Sequence, residues 1–190
     1  MAIVWCFGGS VAAFLLVWVL LQQGSLVQLQ GPVKPLSLMR QVRLGALLLL
    51  MAFIEEGIFR WLLLGQASRL IGLGPAFILS VAAFTLAHRT NGPLSFSAIV
   101  NLLVVSTILG ILFWWWGLWA AVAAHFGWNL TQWWLGFTVS GEKTRPLLPA
   151  PRVRKISGHP YGPESHWAAT VVMMGVLIAL LAPGLAALHV

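Results

Sequence analysis

Six apolar segments, each about the length of a membrane-spanning helix, dominate this sequence. A helix needs about 20 mainly apolar residues to cross the hydrocarbon layer of a bilayer. Hydrophobic residues make up 59% of the 190 residues and charged residues only 8%, a balance outside the range of soluble domains. We therefore predict an all-α fold, a polytopic membrane helix bundle with about six transmembrane helices. The predicted spans are residues 2–21, 44–64, 73–88, 98–116, 118–137 and 167–188.

Lysine and arginine residues are distributed very unevenly between the predicted connections. The three odd-numbered connections hold nine of them, whereas the even-numbered connections and the termini hold only Arg69. Because positive charge accumulates on the cytoplasmic side of a membrane protein, we predict that the odd-numbered connections are cytoplasmic and both termini outside. The net charge of +7 is then explained by topology, and the sequence does not indicate nucleic acid as a partner. The first span lacks a basic region before it and is longer than a signal peptide core, so it should be retained.

Two adjacent glutamates, Glu55 and Glu56, lie within the second apolar segment, and Arg60 follows one helical turn later. An ionised group at the centre of a membrane helix costs roughly 2.5–3.5 kcal/mol on insertion scales. Such groups usually face the interior of a helix bundle and mark a functional site. Glu56 and Arg60 share a helix face, with Glu55 about 100° away from them. A pair that only locks helices together is the simpler alternative.

Further polar residues recur at helical spacing in two other spans. His88 ends the third span, with Phe84 on the same face, and His125 and Asn129 lie one turn apart in the fifth. Taken alone, His88 could be an interfacial histidine, and His125 with Asn129 could be a hydrogen-bonding contact between helices. Two carboxylates, two imidazoles, an amide and a guanidinium together form a set that hydrolysis can use. We predict that they share one interior site.

The residue types permit two kinds of hydrolytic chemistry. A carboxylate and an imidazole can deprotonate a water for attack on a carbonyl, while a second imidazole and an amide stabilise the oxyanion. Alternatively, one glutamate and two histidines can hold a catalytic zinc ion, and the ligands would then be Glu55, His88 and His125. The sequence favours no cofactor, because no short chelating motif is present and the only cysteine is Cys6. One zinc ion stays the alternative.

The order and spacing of these residues resemble the three motifs of the CAAX-protease and bacteriocin-processing (CPBP) family of intramembrane endopeptidases, which have been described as glutamic or metallo enzymes. The resemblance covers about residues 46–141, including the motif-free span between the second and third motifs. Two later stretches, 139–141 and 158–165, are similar to stretches in some bacterial members, without a known role. The motifs are Glu55-Glu56-x-x-x-Arg60, Phe84-x-x-x-His88 and His125-x-x-x-Asn129.

This resemblance implies a role for each matched residue. Glu55 and His88 would activate the water, and His125 and Asn129 would form the oxyanion site. The other glutamate and the arginine of the first motif would support the site; these are Glu56 and Arg60.

The resemblance also implies an organisation and a function. The chain would be a single integral-membrane domain, 1–190, in a bacterial or archaeal cell membrane. It would comprise a four-helix catalytic core (44–141), a cytoplasmic connection (138–166) and a final transmembrane helix (167–188). The expected function is cleavage of a membrane-anchored or lipid-proximal peptide, such as a CAAX-type, bacteriocin, leader or C-terminal sorting signal. The alternative is a non-catalytic immunity or scaffold protein of the same fold that binds a peptide.

Overall fold

Helices account for nearly all of the regular structure. The computed structural model describes residues 1–24, 26–29, 36–144, 147–149, 154–156, 159 and 161–186. In these residues the all-α prediction is confirmed, apart from two short strands, β1 (Val27–Leu29) and β2 (Arg154–Ile156). The helices are α1 (Ala2–Gln23), α2 (Leu38–Glu56), α3 (Ser68–Ile71), α4 (Leu73–Ala87), α5 (Phe96–Trp116), α6 (Leu118–Trp134) and α7 (Trp167–Ala186).

Five of the six predicted spans correspond to one helix each, and the second, 44–64, corresponds to α2 and the helical segment that continues it to Gln66. Among the described residues, α1 and α5 are long and apolar enough to cross a membrane, judged by length and composition alone. A shorter apolar helix, Trp167–Ala182, forms most of α7. The number of transmembrane helices and their order across the membrane stay predictions. Residues 187 and 188, the end of the last predicted span, lie outside the described residues.

Local sequence signals explain several helix boundaries. The side chain of Ser37 accepts a hydrogen bond from the backbone N–H of Arg40 at 3.4 Å, and so caps the start of α2. Ser95 caps α5 in the same way by accepting from the N–H of Ala98 at 3.2 Å. Gly117 separates α5 from α6 with a φ of +83°, in the region that favours glycine. The Ser95 cap therefore sets the start of α5, and Gly117 separates α5 from α6 within a nearly continuous apolar stretch.

The second predicted span contains a feature that its sequence pattern did not predict. From Gly57 to Gln66 the helix continues from α2 as wider π-helical turns, a conformation that is rare and often found at functional sites. Ser80 of α4 donates a hydrogen bond to the carbonyl of Phe59 in this segment, at 2.7 Å. The π-helical segment is thus tied to α4, which carries the second motif.

Helix α6 lies at the centre of the bundle and packs against α1, α2 and α5. Its contact with α1 is especially close at Gly127. A Cβ atom placed there would clash with the hydroxyl oxygen of Ser10 and would lie 2.9 Å from the carbonyl oxygen of Phe7. Small residues allow the backbones of membrane helices to approach each other in this way. Gly127 therefore positions the helix that carries the third motif.

Large apolar side chains cover much of the outer surface of the bundle. On α2 alone, Leu49, Leu50, Phe53 and Ile54 are exposed. Soluble monomers rarely expose contiguous apolar surface on this scale. Contact with lipid would remove these side chains from water.

The three odd-numbered connections meet at one end of the molecule. Strand β1 of the first connection pairs antiparallel with β2 of the fifth, with Gln28 opposite Lys155. The ammonium group of Lys143, also in the fifth connection, donates to the carbonyl of Thr90 in the third at 3.2 Å. The predicted topology requires these connections to share one side of the membrane, and this arrangement allows it.

The side that these connections face can be tested by cysteine labelling in a Cys6→Ser background. We expect Lys143→Cys to react with a membrane-impermeant thiol reagent only after cells are permeabilised, because its connection should be cytoplasmic. Leu70→Cys, exposed in the second connection, is the control that should react in intact cells. Labelling of Lys143→Cys in intact cells would refute the topology. Lys34, Arg145 and Arg152, which contribute to the charge bias, lie outside the described residues.

Candidate active site

The three motifs, far apart in sequence, converge in the structure. Glu55 lies in the last turn of α2, His88 directly follows α4, and His125 lies in the first half of α6. Oε2 of Glu55 is 3.9 Å from Nε2 of His88 and 3.9 Å from Nε2 of His125. Asn129, one turn beyond His125, lines the same cavity as both histidines. The structure thus brings these four residues together, while their catalytic roles stay predictions.

The second glutamate, Glu56, holds the core of the site together. Its Oε1 atom lies 2.7 Å from Nδ1 of His125, and its Oε2 atom lies 3.1 Å from Nε of Arg60. The side chains of Glu56 and Arg60 are completely buried. Nη2 of Arg60 also donates to the carbonyl and the hydroxyl oxygens of Ser106, at 3.2 and 3.1 Å, and the guanidinium lies 4.4 Å from the centre of the Phe84 ring. Glu56 and Arg60 therefore share a helix face, as their spacing predicted, while their supporting role stays a prediction.

The hydrogen bonds at Nδ1 determine which tautomer each histidine adopts. Nδ1 of His88 lies 2.8 Å from the carbonyl oxygen of Phe84. Since a carbonyl only accepts, Nδ1 must carry the proton. Nδ1 of His125 faces a carboxylate, that of Glu56, and donates for the same reason. In their neutral forms, both rings therefore present an Nε2 lone pair towards Glu55.

The space between Glu55 and the two imidazoles suits a water molecule. A separation of 3.9 Å is too long for a direct hydrogen bond but can be bridged by one water. Oε2 of Glu55 is buried and has no hydrogen-bond partner among the described residues. Leaving such an atom unsatisfied is unfavourable. A water here would donate to the carboxylate and to an Nε2 lone pair, an arrangement that prepares it for deprotonation.

A cavity of about 260 Å³ leads away from the histidines. Its polar end contains His88, His125 and Asn129, and the rest of its wall is mostly apolar. Asn129 is buried, and its amide has no partner among the described residues, so it is available to a ligand. Oε2 of Glu55 lies 3.9 Å from both Nε2 atoms, although Glu55 is not among the residues that line this cavity. The apolar wall, from α1, α5, α6 and α7, includes Cys6, Ala13, Leu102, Leu109, Ala124 and Met173.

The connection between α6 and α7 supplies residues that sequence reasoning did not assign to the site. The hydroxyl of Tyr161 donates to the carbonyl of His88 at 3.0 Å. The carboxyl of Glu164 accepts from the backbone N–H of Ser140 at 3.0 Å and faces the cavity. Asn101 of α5 donates to the carbonyl of Glu164 at 2.9 Å. Two features of the sequence could have indicated these residues. Stretches 139–141 and 158–165 are similar to stretches in family members, and Asn101 is a polar residue within an apolar span.

The site contains donors that suit a metal, but their placement does not form a metal site. Both Nε2 lone pairs and the carboxylate of Glu55 are groups that zinc accepts, and both Nδ1 atoms have the partners usual for metal-bound histidines. Nevertheless, no group of three His, Cys, Asp or Glu side chains in the described part of the chain is arranged to hold an ion. The donor chemistry fits zinc and the geometry does not.

Comparison with protein families agrees with this geometry. Residues 39–131 match the profile of the type II CAAX prenyl endopeptidase Rce1-like family, and this segment contains all three motifs. This match confirms the resemblance seen in the motifs. No significant match was found among curated proteins or among solved structures.

Proposed function

We propose that this protein is an intramembrane endopeptidase that hydrolyses a peptide bond in a membrane-anchored or lipid-proximal substrate. The observation that carries the proposal is the position of the Glu55 carboxylate, 3.9 Å from the Nε2 atoms of both histidines. The family match supports a peptidase. The substrate candidates stay those expected from the sequence: a CAAX-type terminus, a bacteriocin or leader peptide, or a C-terminal sorting signal.

The reaction would begin with a water held between Glu55 and His88. Glu55 takes one proton from it, while Nε2 of His88 accepts a hydrogen bond from the other, as the water oxygen attacks the carbonyl carbon of the scissile bond. The amide of Asn129 and a protonated Nε2 of His125 donate to the resulting oxyanion. For this role His125 must carry protons on both nitrogens, and the carboxylate of Glu56 at Nδ1 stabilises that form. The C–N bond then breaks, and the proton taken from the water passes to the leaving amine.

Reconstituted protein and defined peptides test this proposal. The purified chain in lipid vesicles should cleave membrane-anchored peptides chosen from the candidate classes, and the products should be identified by mass spectrometry. The rival function, a non-catalytic peptide binder of the same fold, predicts stable binding without new termini. Binding by folded protein without cleavage, across all candidate classes, would favour that rival.

Metal removal is expected to leave the activity intact, since the proposed steps use only side chains and water. Purified protein should cleave its peptide equally well before and after complete chelation, with zinc content measured on the same samples. Added zinc should inhibit, because it would bind Nε2 of His88 and compete with the proton on Nε2 of His125. About one equivalent of zinc lost in step with activity, and restored with it, would establish the metal alternative instead.

A further inference from the structure

A third carboxyl group reaches the cavity from outside the three motifs. Glu164 lies in a short 3-10 turn, Gly162–Ser165, immediately before α7. Its side chain lines the same cavity as His125 and Asn129. Glu164 is only partly buried, since part of its surface faces this cavity. The mechanism above gives Glu164 no role.

The position of Glu164 is built by contacts on both sides of it. Asn101 of α5 donates to its carbonyl at 2.9 Å and to that of His166 at 3.2 Å. Tyr161, three residues earlier, is bonded to the backbone of His88. The carboxyl is oriented by the N–H of Ser140, at 3.0 Å from Oε2. The turn is therefore anchored to both α5 and the active-site histidine.

In the described part of the chain, the carboxyl of Glu164 forms no ion pair with a Lys or Arg. Glu56, by contrast, is paired with Arg60. Burial raises the pKa of Glu164 to about 7, against the opposing effects of the Ser140 N–H, the Gln132 amide and the nearby His125 ring. A carboxyl enclosed in this way is destabilised in its charged form, and a substrate cation beside it would relieve that cost.

We propose that Glu164 is a specificity residue of this site. Its carboxyl binds a lysine or arginine side chain of the substrate, and this basic residue directly follows an apolar segment of the substrate. This inference rests on the proposed function and names the substrate class. The apolar part of the cavity would hold the apolar side chains, and the basic residue would meet the carboxyl at the polar end. The carbonyl of the scissile bond would then lie near Asn129, which lines the same cavity.

The arrangement of the bundle matches the expected order of such a substrate. The polar end of the cavity lies at the end of the molecule where the three basic connections meet, since Glu164 is itself in the fifth connection. Membrane-anchored peptides usually carry lysine or arginine just beyond the cytoplasmic end of their apolar segment. An apolar segment followed by a basic residue is therefore the pattern that the cavity complements in both polarity and charge.

The test uses full-length protein in lipid nanodiscs and three synthetic peptides. Each peptide carries an apolar segment of about 20 leucine and alanine residues, followed by Lys, Gln or Glu, and a fluorescent label. Binding and cleavage are measured separately. Wild type should bind the Lys peptide about thirtyfold more tightly than the Gln peptide, as expected when a desolvated carboxylate gains a charged partner. Glu164→Gln should abolish the difference, and Glu164→Lys should favour the Glu peptide.

Equal binding of the Lys and Gln peptides by wild type would overturn the inference, as would a Lys preference that survives in Glu164→Gln. If Glu164→Gln does not fold, Glu164→Asp replaces it. That variant keeps the charge but shortens its reach, so its preference should shrink, and an unchanged preference counts against the inference. Failure of the proposed function would instead appear as normal charge-dependent binding with no cleavage of any peptide.

Tyr161→Phe is the matched control from the same turn. It removes the hydrogen bond to the His88 carbonyl and leaves the Glu164 carboxyl in place. Any general disturbance of the turn should lower binding of the Lys and Gln peptides by the same factor. A loss of charge preference in Tyr161→Phe equal to that in Glu164→Gln would show a merely structural role and would refute specificity.

Discussion

Glu55→Gln is expected to abolish detectable cleavage, with a loss of roughly 10²–10⁴-fold in kcat, the usual contribution of a general base. Glutamine has the size of glutamate and can still hydrogen bond, but it cannot accept the proton of a water held against His88. Oε2 of Glu55 is 3.9 Å from Nε2 of each histidine, and a neutral amide of the same size should preserve this geometry. The loss should therefore appear in kcat more than in KM.

Two observations make this prediction decisive. The thermal unfolding midpoint of Glu55→Gln should remain close to that of wild type, which would show that the loss is chemical. Thr107→Val serves as a control for substitution within a membrane helix, because Thr107 is only partly buried on α5 and its hydroxyl donates to the carbonyl of Leu103 in its own helix. Full activity in folded Glu55→Gln protein would end the proposed mechanism.

Arg60→Ala is expected to destabilise the fold by about 3–5 kcal/mol, the range seen when one partner of a buried ion pair is removed. Glu56 would keep its contact with His125 but would lose the cation at 3.1 Å, in a place with no exposure to solvent. Ser106 would also lose the donor to its hydroxyl. The free energy of unfolding, measured by titration with a denaturing detergent, should fall by this amount.

Arg60→Lys should lie between wild type and Arg60→Ala in both stability and activity. Lysine keeps a positive charge but cannot contact Glu56 and Ser106 at once through a planar group. Arg69→Ala is the matched control, because Arg69 is exposed at the end of α3, and its effect should stay within about 0.5 kcal/mol. Equal stability of Arg60→Ala and Arg69→Ala would show that the buried pair contributes nothing to the fold.

The site shows which features local patterns encode. The spacing of Glu56 and Arg60 predicted a shared face, and the structure joins them by an ion pair. The same spacing did not predict the π-helical turns from Gly57 to Gln66. Both helix types bring residues of this spacing together, so the apolar pattern does not distinguish them. Tertiary contacts, such as the bond from Ser80 to Phe59, accompany the wider form.

The sequence alone determined that the chain forms a helical bundle, because apolar segments of this length leave backbone groups no other partners in a lipid environment. It also determined which side chains are candidates for chemistry, because ionisable groups are so unfavourable in apolar helices that few occur. Only the tertiary structure decided that Glu56 contacts His125 as well as Arg60, and that Glu164 shares the cavity with Asn129. These contacts join distant parts of the chain, and periodicity within one helix carries no information about the side chains that another helix or connection brings to it.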